Sequence, residues 1–217
     1  MTIKKVEALC VVAHPDDETI WMGGVILQNP DWNWTIISLC RKNDPDRAPK
    51  FRKICKILNA RSIISDLDDE NLEPLPVSEV TEKIKENLPR KKYDFVFTHG
   101  KNGEYGHIRH KEVHKAIKRM IEEKEIDCKK IYFFSYLPDG MKWKEDSNLR
   151  IPIANTKSSL RICLDDDSLQ KKIELITKVY GFGPESFEAL SCGSRETFDY
   201  IKKEVKNEII GVIPLSS

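Results

Sequence analysis

Short apolar runs alternate with amphipathic stretches along most of the chain. Val6 to Ala13 is apolar almost throughout, and Thr35 to Cys40, Ser62 to Leu67, Tyr93 to Thr98 and Ile131 to Tyr136 repeat the pattern. Runs of this length, apolar on both faces, predict buried strands. Between them apolar residues recur three and four apart. That spacing predicts helices over Glu18 to Leu27, Arg47 to Leu58, Val77 to Leu88 and Ile108 to Glu123. Phe51, Ile54, Ile57 and Leu58 mark the buried stripe of the second helix, and Val80, Ile84 and Leu88 that of the third. Gly23-Gly24 would let the first helix pack closely on a neighbour.

Strand, helix, strand in regular succession implies parallel pairing with right-handed crossovers. The fold class expected is α/β: a three-layer, Rossmann-like, mostly parallel sheet with a short antiparallel C-terminal part. By analogy with doubly wound sheets, the first five strands would lie in the order 3-2-1-4-5. The last third is less regular. Ile151 to Ala154 and Leu160 to Leu164 read as short strands at an antiparallel edge, and Leu169 to Tyr180 and Glu196 to Val205 as helices. With 217 residues, no repeat and no linker, residues 1–217 are expected to form one domain.

Two stretches stand out chemically because each follows an apolar strand and each is dense in metal-ligand side chains. They are Ala-His-Pro-Asp-Asp-Glu (Ala13 to Glu18) and Gly-His-Ile-Arg-His (Gly106 to His110). In the assumed strand order, strands one and four are neighbours, so the fold would bring together motifs far apart in sequence. Ligands bind at the carboxyl ends of such strands. His14 and the adjacent Asp16 and Asp17 offer one carboxylate to a metal and another to an attacking water. The plainer alternative is that Asp16, Asp17 and Glu18 only complement a helix N-terminus. His107, His110 and His114 fall largely on one helix face. His99 reads as an ordinary strand-end histidine, with a supporting place behind the site as the alternative. Histidine and carboxylate together suit a catalytic zinc site, and also other divalent metals.

Composition narrows the partners. A net charge of +1 gives no reason to expect nucleic acid. The lysine clusters Arg90-Lys91-Lys92, Lys171-Lys172 and Lys202-Lys203 are short and read as solvated faces. No apolar run approaches the ~20 residues of a membrane span. Six scattered cysteines without a CxxC pair favour reduced thiols, and the polar opening Met1 to Glu7 predicts no secretory signal, so a cytoplasmic setting is expected. The oligomeric state stays open, a homo-oligomer included.

With these residues in view, the chain resembles the PIG-L/LmbE-like deacetylases, zinc enzymes that hydrolyse N-acetyl groups from glucosamine-containing substrates. The resemblance rests on the AHPDDE stretch, the later GHxxH element and Gly103-Glu104-Tyr105 just before it, and runs from Val6 to about Val113. It implies His14, Asp17 and His110 as zinc ligands, Asp16 as general base and His107 as a second catalytic group. It also implies Tyr105 as a donor to the oxyanion, Arg47 as a substrate contact, and His114 as a supporting residue rather than a ligand. Lys50 stands where the family usually has an acid, and Arg109 where many members have an aspartate that could orient the first histidine. The resemblance thus implies release of acetate from an N-acetylglucosamine conjugate. Two readings compete: a metal-dependent hydrolase of another small amide or ester, and a non-catalytic binding module holding a metal. A nucleotide-binding Rossmann domain has no support, because no G-x-G-x-x-G follows the first strand.

Overall fold

The computed structural model describes residues 4–202. Five parallel strands form its centre: β1 (Glu7–Val12), β2 (Asn33–Ser38), β3 (Arg61–Ile64), β4 (Lys92–Thr98) and β5 (Asp127–Phe134). The crossovers are α1 (Asp17–Gln28), α2 (Arg47–Ile57), α3 (Val77–Asn87) and α4 (Ile108–Glu122). After β5 come β6 (Tyr136–Leu137), β7 (Ile153–Ala154), β8 (Leu160–Cys163), α5 (Asp166–Glu174), a π-helical turn (Leu175–Tyr180), α6 (Phe187–Ser191) and β9 (Arg195–Lys202). The main sheet runs β3-β2-β1-β4-β5-β9-β8, so the expected order of the first five strands is the observed one.

Alternation along the strands divides the core. Ala8, Cys10 and Val12 join the layer beneath α1 and α2, while Leu9, Val11 and Ala13 join the layer beneath α3 and α4. Strand apolarity on both faces is thereby accounted for, as burial under helices requires.

The C-terminal third departs from the sequence reading. Glu196–Lys202 is strand, not helix; β9 pairs antiparallel with β5 and β8. Thr197, Phe198, Tyr200 and Ile201 are residues that favour a pleated surface. The remainder of the expected helix, residues 203–205, lies outside the described residues. The helix expected over Leu169 to Tyr180 begins earlier and ends in the π turn. The Ile151 to Ala154 stretch pairs through β7 with β6 in a separate two-stranded sheet, while β8 provides the antiparallel edge.

Lys172 does not belong to a solvated face. It is fully buried, and its Nζ lies 2.7 Å from Glu196, itself buried. The same carboxylate accepts the Gly24 and Val25 N–H groups at 2.8 Å, just past the non-helical Met22 that kinks α1. A side chain at Gly24 would collide with Leu164, so the glycine lets α1 pack as closely as the sequence suggested. Glu196→Ala would strand a buried ammonium and two backbone donors. Its expected cost is about 3–5 kcal/mol, read from denaturant unfolding.

Candidate functional site

Pro15 follows the end of β1, and the chain turns into α1 through Asp16, whose φ of 113° is unusual for a residue other than glycine. Glu18 holds this turn. Its fully buried carboxylate accepts the Asp16 N–H at 3.0 Å, the Thr19 hydroxyl at 2.7 Å and the Tyr180 hydroxyl at 2.8 Å. Burial lifts the Glu18 pKa to about 7. Glu18 therefore does more than complement a helix end: it braces the turn against the π-helical segment.

The second motif follows β4. Gly103, with φ of 67°, lies where a side chain would strike the His107 carbonyl. Glu104 follows at φ 58°, which turns its carboxylate inward. One oxygen contacts both His99 Nδ1 (2.8 Å) and His110 Nδ1 (2.6 Å), and the other accepts the Gly100 N–H. His99 is no ordinary strand-end histidine. It stacks on His110 with ring centres 3.8 Å apart, and its Nε2 accepts the Ala13 N–H at 2.9 Å. Carboxylate and backbone thus fix both rings.

Three atoms from the two motifs face one another. His14 Nδ1 is 3.2 Å from His110 Nε2 and 3.3 Å from Asp17 Oδ2, and His110 Nε2 is 3.4 Å from that same oxygen. A tetrahedral cation with bonds of about 2.0–2.1 Å needs ligand atoms roughly 3.3 Å apart, so this nearly equilateral triangle fits one. The far side of each group is occupied. His14 Nε2 contacts Asp69 Oδ1 at 3.0 Å, His110 Nδ1 contacts Glu104, and Asp17 Oδ1 accepts the Trp21 indole N–H at 2.8 Å. Such outer partners set the tautomer and orientation of metal-binding groups. Other close donor groups include His14 with His107 and His110, Asp17 with His99 and His110, and His14 with Cys40 and Asp69. In the second, the His99 Nε2 lone pair already accepts the Ala13 N–H; in the third, burial holds the Cys40 thiol protonated by raising its pKa.

Asp69 was not picked out from the sequence. It sits in the irregular stretch after β3, and its other oxygen receives Arg41 Nε (3.0 Å) and Nη2 (2.6 Å). Burial would raise its pKa, but the His14 and Arg41 contacts outweigh that and hold it at about 2. Removing it leaves His14 without a second anchor. If the three atoms hold a metal, Asp69→Ala is expected to weaken its binding about 10- to 100-fold, measured by chelator competition.

His14, Asp16, Asp17, Arg47, Tyr105 and His107 line one cavity of about 330 Å³, with Trp21, Phe187 and Glu188 among its other walls. His110 is buried behind them. Burial and the Asp17 charge push the Asp16 carboxyl well above its usual pKa. Arg47 reaches Asp16 Oδ2 at 2.9 Å and lies 4.1 Å over the Phe182 ring. Lys50, in place of the family acid, pairs with Asp46. His107 caps α4, its Nδ1 accepting the Arg109 N–H at 3.3 Å. Burial, then the neighbouring His110 and His14, lower its pKa to about 3, and an Nδ1 that accepts a hydrogen bond leaves the ring proton of the neutral form on Nε2. Tyr105 packs edge-on against His107, His110 and Phe187. His114 stands apart: its Nδ1 contacts the His99 carbonyl oxygen at 2.9 Å, and it borders a different cavity.

The Arg109 side chain bonds elsewhere than to His107. Its guanidinium is fully buried and donates to the Asp68 and Glu73 carbonyls, the Asp68 carboxylate and Glu112. Glu112 in turn accepts the Leu75 N–H at 2.8 Å. Helix α4 thus clasps the stretch that presents Asp69 to His14.

The profile of the PIG-L family, described as GlcNAc-PI de-N-acetylase, matches residues 9–121, just over half of the chain. The chain belongs to the PIG-L family. Every residue of the donor triangle and its outer partners falls within the matched span, whereas Phe187 and Glu188 lie beyond it. By sequence this PIG-L chain is similar to the uncharacterized protein L374 of Acanthamoeba polyphaga mimivirus, at 27% identity over 52% of its own length. The chain spans 57% of that relative. Three solved structures share the fold. The A40926 pseudoaglycone deacetylase Dbv21 aligns with TM-score 0.60 and 14% identity over 94% of this chain and 100% of its own. The conserved protein TT1542 of Thermus thermophilus gives 0.61 and 14% over 98% and 99%. A triple mutant of a deacetylase from the teicoplanin biosynthetic pathway gives 0.59 and 13% over 92% and 100%. At such identities the likeness establishes the fold alone. No helix among the described residues is long and apolar enough to cross a membrane.

Proposed function

We propose that this PIG-L chain is a zinc-dependent N-deacetylase acting on an N-acetylated amino sugar or its conjugate, with acetate as one product. The observation that carries this reading is the triangle of His14 Nδ1, Asp17 Oδ2 and His110 Nε2, with the Asp16 carboxylate beside it at the cavity wall. These three atoms would hold the metal. When bound, zinc supplies an electrophile that acidifies water and polarises the amide carbonyl.

The chain's own groups do the rest. Asp16, held by Arg47 at the cavity wall, takes a proton from the attacking water; its elevated pKa suits a group that must both accept and release one. His107, neutral and protonated on Nε2, donates a hydrogen bond to the developing oxyanion, with Tyr105 beside it as a second donor. Asp16 then returns the proton to the leaving amine, so acetate and free amine are formed and the carboxylate is regenerated. A site that served only to hold a metal would have no use for Asp16 in a strained turn.

The test is acetate release from a panel of N-acetylglucosamine conjugates by zinc-reconstituted protein. Turnover of one conjugate supports the reading; stoichiometric zinc with no hydrolysis across amides and esters refutes it. Within an active preparation, Tyr105→Phe is expected to lower turnover about 100-fold with little change in KM, metal content or melting temperature. Full activity would leave the oxyanion to His107 and the metal.

A further inference from the structure

Both guanidinium groups that line the cavity are already committed. Arg41 is spent on Asp69, and Arg47 on Asp16 and the Phe182 ring. Neither is left as a free cation for an anionic group of the substrate. The remaining charged groups of the wall are both acids, Asp44 and Glu188. One Asp44 oxygen accepts the Asp46 and Arg47 N–H groups at 2.9 and 2.8 Å. The Glu188 carboxylate makes no hydrogen bond or ion pair with another side chain among the described residues.

Glu188 is nonetheless well placed. It sits in the first turn of α6, which Ser186 caps by accepting the Ala189 N–H at 3.1 Å. Its neighbour Phe187 is wedged between Tyr105 and Trp143, with ring centres 4.9 and 5.8 Å away. The Trp143 indole and Lys144 both reach back to Glu185 at the start of this segment. A carboxylate at the wall of the cavity, with no side-chain partner among the described residues, can receive hydroxyl or ammonium groups and repels anions.

We propose that Glu188 is a specificity-determining residue. It admits N-acetylated sugars whose ring substituents are uncharged or cationic, and disfavours those that carry an added anion. This rests on the deacetylase reading for its substrate, but the charge selection can be measured without turnover. The signal lies outside the family-matched span, so it belongs to this chain's own C-terminal third.

The experiment uses zinc-loaded full-length protein. Titration calorimetry compares glucosamine with glucosamine 6-sulfate, sulfate being a poor zinc ligand, and kinetics compare N-acetylglucosamine with its 6-sulfate. The wild type is expected to favour the unsulfated member of each pair by about tenfold or more. Glu188→Gln should narrow that ratio, and Glu188→Lys should shift it further, towards the sulfate. Melting temperature and zinc content should be unchanged in both variants. A wild type that binds the sulfate as well as the unsulfated sugar overturns the proposal, as does a ratio that neither variant moves. If binding shows the expected preference but no acetate is released from these sugars or from any conjugate of the panel, the deacetylase reading fails while the charge selection stands.

Discussion

Asp17→Ala is expected to reduce bound zinc to background and to abolish hydrolysis. The substitution removes Oδ2, one vertex of the donor triangle, and strands the Trp21 indole N–H and the His14 N–H that the carboxylate accepts. Two histidine nitrogens then remain from a three-ligand set, too few for a catalytic zinc site. His14→Ala and His110→Ala should behave alike for the same reason. His114→Ala is the control. It is a histidine on the same helix as His110, yet it faces the His99 carbonyl and should keep nearly all the metal. Metal analysis after dialysis separates the cases: zinc retained by Asp17→Ala, or lost from His114→Ala, would reverse the ligand assignment.

Asp16→Asn is expected to keep its zinc and lose about 100-fold or more in turnover, the usual effect of removing a general base. Asparagine suits the experiment structurally. It tolerates positive φ better than most side chains, and its amide oxygen can still accept the Arg47 hydrogen bond. The turn should therefore survive while the proton acceptor does not. Zinc lost from Asp16→Asn but kept by Asp17→Asn would exchange the roles of the two aspartates.

The parallel half of the fold was legible because each buried strand and each amphipathic helix declares its period locally. The two motifs were legible because they concentrate ligand-type residues directly after β1 and at the end of the loop that follows β4. What escaped notice depended on contacts distant in sequence. Asp69 lies among other acids in an aperiodic stretch, and only the folded chain brings it to His14. His99 lacks any local signal, since Ala13, Glu104 and His110 make it part of the site from three directions. Lys172 read as surface because lysine usually is; its partner is 24 residues away in a strand mistaken for a helix. Glu196 to Ile201 mixes charged and apolar residues in a way either element could satisfy. Pairing with β5 and β8 decides it.

The clasp that α4 throws over the stretch after β3 changes what that stretch is. Asp66 to Pro76 carries no regular secondary structure, five acids and two prolines, the make-up of a segment that proteases cut first. Tied down by a buried guanidinium and by Glu112, it must open before it can enter a protease cleft. Opening takes Asp69 away from His14, so nicking between Asp68 and Leu75 becomes a clock for the state of the site. The rate of cutting there should fall when zinc is added and rise with Arg109→Ala, giving a readout of metal occupancy that needs no substrate at all.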